Sequence, residues 1–355
     1  MRVESSQLIP GCVLLKDVIG KTNNPIVPEQ TVLTDEHITI LHKFLVEMVD
    51  VSPKLAGGEP FRPELTDRKQ DVPGQTSGGT FAAHYQNTVA DYKQLFEKWQ
   101  NGAVIDIPEV RQILIPFFEN VETVGLPVYT LNQYAAEKNT CDRSVSVGAL
   151  AAFLAQRLGY EKGEWLQIGL AGSLSDCSMA KWDDTLVTKN GSLSFLQWEM
   201  IKKHPIRSYR MIEKAPAISQ AAKLAVLQHH ERLDGSGYPF GLTSEKIHTY
   251  SRIIAVCDMY YSLMFERKQS AFDVIGKLKD EQFTTFDQHV LKAFITSFAI
   301  VSVNTKVRLS INRTGEIVFM DEQHPAHPIV KLDDSHDILP LRNHRDVHIE
   351  AILHH

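Results

Sequence analysis

Between about Leu131 and Phe298 the apolar residues of this chain recur at three- and four-residue spacing, and no alternating run of comparable length interrupts them. Val147, Leu150, Ala151, Leu154 and Leu158 form one such stripe, and Gly159 stands where that helix would stop. A helix through Trp165 to Leu174 is predicted next, then a loop through Asn190-Gly191. Ser194, with Gln197 three residues on, makes a capping-box start for a helix carrying Trp198 and Ile201. Further helices lead into His229-His230, out of Ser244, through Ile253 to Met264, and from Phe286 to Phe298. The expected core is all-α.

The flanks differ. Residues 1 to 50 read as a small α+β module. Its short β-type runs (Cys12 to Leu15, Ile26-Val27, Thr31 to Leu33) are broken by Gly11, Gly20 and Asn23-Asn24-Pro25, and a helix is expected from Asp35. Residues 51 to 125 read as a linker followed by a helical region. Ser52 to Gly79 is rich in Pro, Gly and charge, and helical patterns resume over Phe81 to Gln100 and Pro108 to Val124. The helical domain proper is placed at 126 to 300. From 301 to 355 the period changes to short β-like runs, Val307 to Ile311, Glu316 to Phe319 and Ile329 to Leu332, which read as a small β domain.

Composition narrows the classes of function. The net charge of -6 argues against a dedicated binder of nucleic-acid polymers but leaves room for a small anionic ligand in a local positive pocket. No run approaches the roughly 20 apolar residues needed to span a bilayer. The start, Met1 to Ser6, lacks the basic and apolar pattern of a secretion signal. The four cysteines, Cys12, Cys141, Cys177 and Cys257, show no CxxC pairing, so neither a disulfide framework nor a zinc ribbon is indicated. A cytoplasmic setting is the simplest expectation.

The densest chemistry lies in His229-His230-Glu231-Arg232-Leu233-Asp234-Gly235-Ser236-Gly237-Tyr238-Pro239. Neighbouring helical residues point about 100 degrees apart, so both imidazoles can serve one site only where a helix ends. Asp234 to Gly237 supplies that end; a surface His pair closed by an ordinary loop is the plain alternative. Asp258 lies in the apolar run Ile253 to Tyr260, where a carboxylate needs a cation or strong donors, and a salt bridge would serve as well as a metal. His204, before Pro205, and Asp176 are each weak signals alone.

In that order these residues closely resemble the HD-GYP family, a subclass of the HD superfamily of metal-dependent phosphohydrolases, over about Tyr134 to Phe298. The blocks His229 to Leu242 and Ser251 to Asp258 carry most of the likeness, and Phe286-Asp287 with Phe294 resembles the family's closing helix. The resemblance implies an HD-type helical bundle holding iron or manganese and hydrolysing cyclic di-GMP or a related cyclic dinucleotide with a metal-activated water. It assigns Asp176, His204, His229, His230 and Asp258 to metal. It gives the loop of Asp234, Gly235, Gly237, Tyr238 and Pro239 to ligand or partner contacts.

The pattern also breaks. The family's opening His-Ser pair is here Arg143-Ser144, and its His-Asp doublet is Ser175-Asp176. The phosphate lysine position is Met179, with Lys181 displaced onto another face, and a further Asp is replaced by Tyr261. One metal position thus keeps a full ligand set while its neighbour loses both histidines. The leading expectation is a signalling protein with one divalent ion or none. It would bind a cyclic dinucleotide, or a protein partner at the Gly-Tyr-Pro face, with weak or no hydrolysis. An active phosphodiesterase with a reduced metal site, and an inert interaction scaffold, are the alternatives; homodimerisation is left open. Arg143 carries a sharper expectation: its guanidinium fills the place of the lost ion and meets the charge of Asp176 and Asp258. The plain alternative has Arg143 in solvent beside a collapsed pocket.

Overall fold

A computed structural model describes residues 2–4, 8–19, 25–34, 37–38, 41, 48–61, 81–124, 126–135, 139–182, 194–266, 270–281, 285–321, 324–344 and 346–353. Contacts divide the chain into two compact units, Met1–Thr76 and Ser77–His355.

The first unit is built on short antiparallel pairs. β1 (Arg2–Glu4) pairs with β4 (Met48–Asp50), and β2 (Val18–Ile19) with β3 (Pro25–Val27). Cys12, Leu14, Leu33, Val49 and Val51 bury their side chains together. Residues 52–61, expected as the start of a linker, are part of this unit: Lys54 bridges to Pro60, and Phe61 joins the buried set. The rest of the expected linker, and most of the helix expected from Asp35, lie outside the described residues.

The second unit is mainly helical. It runs α1 (Phe81–Gln100), α2 (Ile107–Val124), a 3-10 stretch (Leu126–Gln133), α3 (Thr140–Arg157) and α4 (Lys162–Leu174). It continues through α5 (Phe195–Ile201), α6 (His204–Ile212), α7 (Gln220–Gln228), α8 (Thr249–Glu266), α9 (Ala271–Glu281) and α10 (Gln288–Ser302). The loop expected through Asn190-Gly191 falls outside the described residues.

Tyr129 is a hub of this core. Its ring lies 5.1 Å from Phe294 and Phe298 and 5.8–5.9 Å from Phe153 and Tyr260, all edge-on, the geometry aromatic quadrupoles favour. Its buried hydroxyl pairs with Ser297 Oγ at 2.5 Å and donates to the Phe294 carbonyl at 3.2 Å, so the polar end is satisfied. α3 is the central helix: fourteen of its eighteen residues are buried, and small residues (Gly148, Ala151, Ala152, Ala155) let neighbours approach it closely.

After α10 the chain forms a five-stranded antiparallel sheet of order β8-β7-β6-β5-β9. The strands are β5 (Lys306–Leu309), β6 (Thr314–Phe319), β7 (Ile329–Leu332), β8 (Ile338–Pro340) and β9 (Ile349–Leu353). A sequence-based boundary falls at 301, yet Val307, Leu309, Ile317, Val330 and Leu332 share one continuous core with the helices. A single sheet has one apolar face to cover and no second sheet to cover it, so helices take that role. Among the described residues no helix is long and apolar enough to cross a membrane.

Candidate metal centre

Four helix ends converge on one polar cluster inside the second unit. Asn139 caps α3: its side chain accepts from the amides of Cys141 and Asp142, and Asp142 accepts from the Asn139 amide. That cap sets Arg143 in the first turn. α4 ends at Leu174, and Asp176 follows at the start of the 3-10 turn Cys177–Lys181. His204 opens α6 with Pro205 behind it, where a missing N–H costs nothing. His229 terminates α7 and His230 lies in the turn beyond. At that terminus the adjacent imidazoles face one place.

Asp176, His204, His229 and His230 offer ligand atoms that all lie within 4.8 Å of one another. His204 Nε2 is 3.1 Å from both His229 Nε2 and Asp176 Oδ1. The other ring nitrogens are anchored: His204 Nδ1 faces the Ile201 carbonyl at 2.7 Å, and His229 Nδ1 faces the Val226 carbonyl at 2.8 Å. A carbonyl only accepts, so each Nδ1 carries the proton and each Nε2 presents its lone pair inward. Burial, then the neighbouring His204 imidazole, pushes His229 down to about 4. Burial, then His229 and His204, also pushes His230 well below its usual value. Neutral nitrogens and a carboxylate this close repel unless a proton or a cation sits among them. Three imidazoles and one carboxylate suit a mid or late divalent transition ion, so the donor set fits a metal.

Arg143 lies beside this cluster. Its Nε–H donates to Asp176 Oδ2 at 3.2 Å and its Nη2–H to Asp258 Oδ1 at 2.5 Å, so one guanidinium bridges two carboxylates. Burial pushes the Asp176 carboxyl up, but its contact with His204 and the Arg143 charge outweigh that and hold Asp176 well below the carboxylate range. Asp258, grouped with the ligands on sequence grounds, sits outside the four. It meets Arg143, and its Oδ2 lies 3.5 Å from His230 Nδ1, where a carboxylate orients a ligating imidazole.

The substituted positions are also accounted for. The buried Ser175 hydroxyl donates to the Ala171 carbonyl of its own helix at 2.8 Å and faces no partner in the cluster. Met179 is half-buried. Lys181 cannot take over as phosphate lysine, because its ammonium donates to the Trp99 carbonyl. The Tyr261 ring is buried with the Arg143 guanidinium 5.9 Å from its centroid.

The Gly-Tyr-Pro loop is built around Glu231, a residue that sequence reasoning left out of the site. Its buried carboxylate accepts from the Phe240 amide at 2.8 Å and the Leu242 amide at 2.9 Å, pinning the far side of the loop to the end of α7. Asp234 Oδ1 accepts from the Ser236 amide and hydroxyl, and the Tyr238-Pro239 peptide is cis. A Cβ on Gly237 would stand 2.4–2.5 Å from Arg232 N, Glu231 Cα and His230 O, so only glycine fits. Tyr238 then lays its ring 4.6 Å from that of His230. Glu231→Gln puts an NH2 group against one of two amide donors; leaving that pair unsatisfied in a buried place costs about 1–3 kcal/mol. Thermal unfolding is expected to show that loss together with weaker metal uptake, and unchanged values for both would count against this role.

Residues 128–290 match the sequence profile of the HD domain. Residues 128–290 thus form an HD domain. The chain is 33% identical over 193 residues to a cyclic di-GMP phosphodiesterase of Pseudomonas aeruginosa, covering 53% of this chain and 46% of that protein. It is 31% identical over 153 residues to a 3'3'-cGAMP-specific phosphodiesterase of Vibrio cholerae, covering 42% of this chain and 35% of the relative. The matches thus span half or less of each relative's length. Among solved structures, an HDG"Y"P protein from Bdellovibrio bacteriovorus shares the fold, with a TM-score of 0.51 at 15% identity over 83% of this chain and 97% of that one.

Proposed function

We propose that this HD domain hydrolyses a cyclic dinucleotide of the cyclic di-GMP class, using one divalent ion, iron or manganese, held by Asp176, His204, His229 and His230. The observation that carries the reading is the pair of inward Nε2 atoms 3.1 Å apart, against Asp176, with both Nδ1 atoms tied to carbonyls. The names of the relatives favour hydrolysis over the non-catalytic reading that the substitutions alone put first.

A bound ion would polarise a phosphoryl oxygen and lower the pKa of a water. The protein supplies the rest. Burial keeps His229 and His230 neutral and ready to ligate, Asp258 orients His230, and Arg143 keeps a fixed positive charge where two carboxylates would otherwise repel an anionic substrate. Tyr238, its hydroxyl pushed up by burial and by the Asp258 charge, stays protonated beside His230. Hydrolysis adds the water oxygen to phosphorus, breaks one P–O ester bond, and returns a proton to the leaving sugar oxygen. With one ion and no phosphate lysine, transition-state stabilisation falls by several kcal/mol relative to a two-ion site, and every 1.36 kcal/mol is about tenfold in rate. Slow turnover is expected.

A second reading, binding of the nucleotide or a partner protein with no turnover, is favoured by Met179 at the phosphate lysine position. The test is hydrolysis of cyclic di-GMP by protein loaded anaerobically with Fe(II) or Mn(II), with products separated by chromatography. Linear dinucleotide or GMP, absent with His229→Ala, supports hydrolysis. Metal-loaded protein that forms no product sinks it and leaves the binding reading.

A further inference from the structure

We propose that Trp198, on the short helix α5, is a stacking wall for a purine base of the cyclic dinucleotide; the inference rests on the substrate class proposed above. α5 has no buried residue, although five of its seven side chains are large and apolar; Phe195, Leu196, Trp198 and Met200 are the exposed ones. Each is more than a third exposed, from 39% at Met200 to 76% at Phe195. Packing against the core therefore does not explain the composition. What holds the helix is its cap: Ser194 Oγ accepts from the Gln197 amide, and the Gln197 side chain accepts from the Ser194 amide.

Trp198 differs from its neighbours in being tied to the metal centre. Its ring centroid lies 6.1 Å from that of Tyr238 at an interplanar angle of 72°, and Tyr238 lies 4.6 Å from His230. The tilt means Tyr238 does not stack on the indole, which stays 42% exposed. On the same ring, Lys202 Nζ lies 5.8 Å from the centroid. A cyclic dinucleotide carries two anionic phosphates and two flat purines. A metal held by the cluster would take a phosphate, and the indole, two ring contacts away with Lys202 over one face and paired to Glu199, offers its other face to a base. Stacking of a base on an aromatic side chain contributes about 1–3 kcal/mol and accepts any base, because every base has a π-face. The wall thus supplies affinity without choosing between guanine and adenine.

The experiment is equilibrium binding of cyclic di-GMP and of 3'3'-cGAMP to metal-loaded protein, wild type against Trp198→Ala and Trp198→Phe, with metal content measured on each. Trp198→Ala is expected to raise Kd about tenfold for both nucleotides by the same factor, and Trp198→Phe to recover most of it, with metal content as in the wild type. Wild-type binding that Trp198→Ala leaves unchanged overturns the wall and leaves the proposed hydrolysis standing. So does a Trp198→Ala protein that has lost its metal, since the residue is then structural. A wild type that binds neither nucleotide overturns the substrate class and the wall together.

Discussion

Replacing Arg143 by alanine is expected to destabilise the metal-free protein by about 3 kcal/mol, the lower end of what removing one partner of a buried ion pair costs. Asp176 and Asp258 would lose the cation between them, and their side chains are only 11% and 5% exposed. The lower end applies because the Arg143 side chain is 21% exposed, so water screens part of the charge. In a folded unit of this size that loss corresponds to a drop in Tm on the order of 5–10 °C. Added divalent ion should raise both melting temperatures by mass action, and the drop should shrink only as an ion takes the place of the guanidinium in the variant. Calorimetry with and without EDTA reads both effects; equal melting of variant and wild type in EDTA would show that the guanidinium does not bridge the carboxylates. Arg143→His combined with Ser175→His restores imidazoles at both altered positions. That double variant is expected to take up a second ion, and if it does not, these two replacements alone do not explain the reduced site.

A larger loss is expected from Gly148→Val. A Cβ at Gly148 would stand 1.9 Å from Ser173 Oγ and 2.7 Å from the Gly169 carbonyl oxygen, and across the interface a Cβ at Gly172 would sit 3.1 Å from Gly148 Cα. α3 and α4 therefore cross with their backbones nearly touching, and a branched side chain must force them apart. Overpacking a tight core costs about 1–3 kcal/mol and more when backbone has to move. Here the displaced helix is the one that ends beside Asp176, so metal affinity should fall with stability. Gly163→Ala is the control. Nothing lies within 4 Å of its Cβ, it sits in the first turn of α4, and it should be neutral or stabilise by up to about 1 kcal/mol. A Gly148→Val protein that melts with the wild type would contradict the close crossing.

Much of the helical unit could be read from the chain because its signals are local. The stripe ending at Leu158 with Gly159, the capping box at Ser194, and the paired histidines before a glycine-rich turn each name an element or its end. In the structure these are the last turn of α3 with Gly159 at φ +84°, the start of α5, and the terminus of α7. The convergence of Asp176, His204, His229 and His230 came from the family resemblance, since residues 28 apart at the closest Asp–His spacing carry no local mark of being neighbours.

Other features had no such mark. Glu231 reads as one more charge in a polar run, and its two amide partners, Phe240 and Leu242, are visible only once the loop is folded. The sequence places Trp198 on a helix but carries no mark of its exposure, and α5 buries nothing. Asp258 reads equally as ligand or salt-bridge partner, and long-range packing decided that it meets Arg143 and His230. The strands Ile338–Pro340 and Ile349–Leu353 were not read from the sequence, where neither stretch shows clean alternation. That the terminal sheet shares the helical core is likewise a property of packing and not of any one segment.

The central claim is a one-ion site in which Arg143 stands for the second ion. The most direct measurement is the metal-to-protein ratio of the wild-type chain loaded anaerobically with Fe(II) or Mn(II) and freed of excess, by elemental analysis. One ion per chain, lost with His229→Ala, is the predicted result. Two or more ions per chain, or one ion that His229→Ala leaves in place, would contradict it.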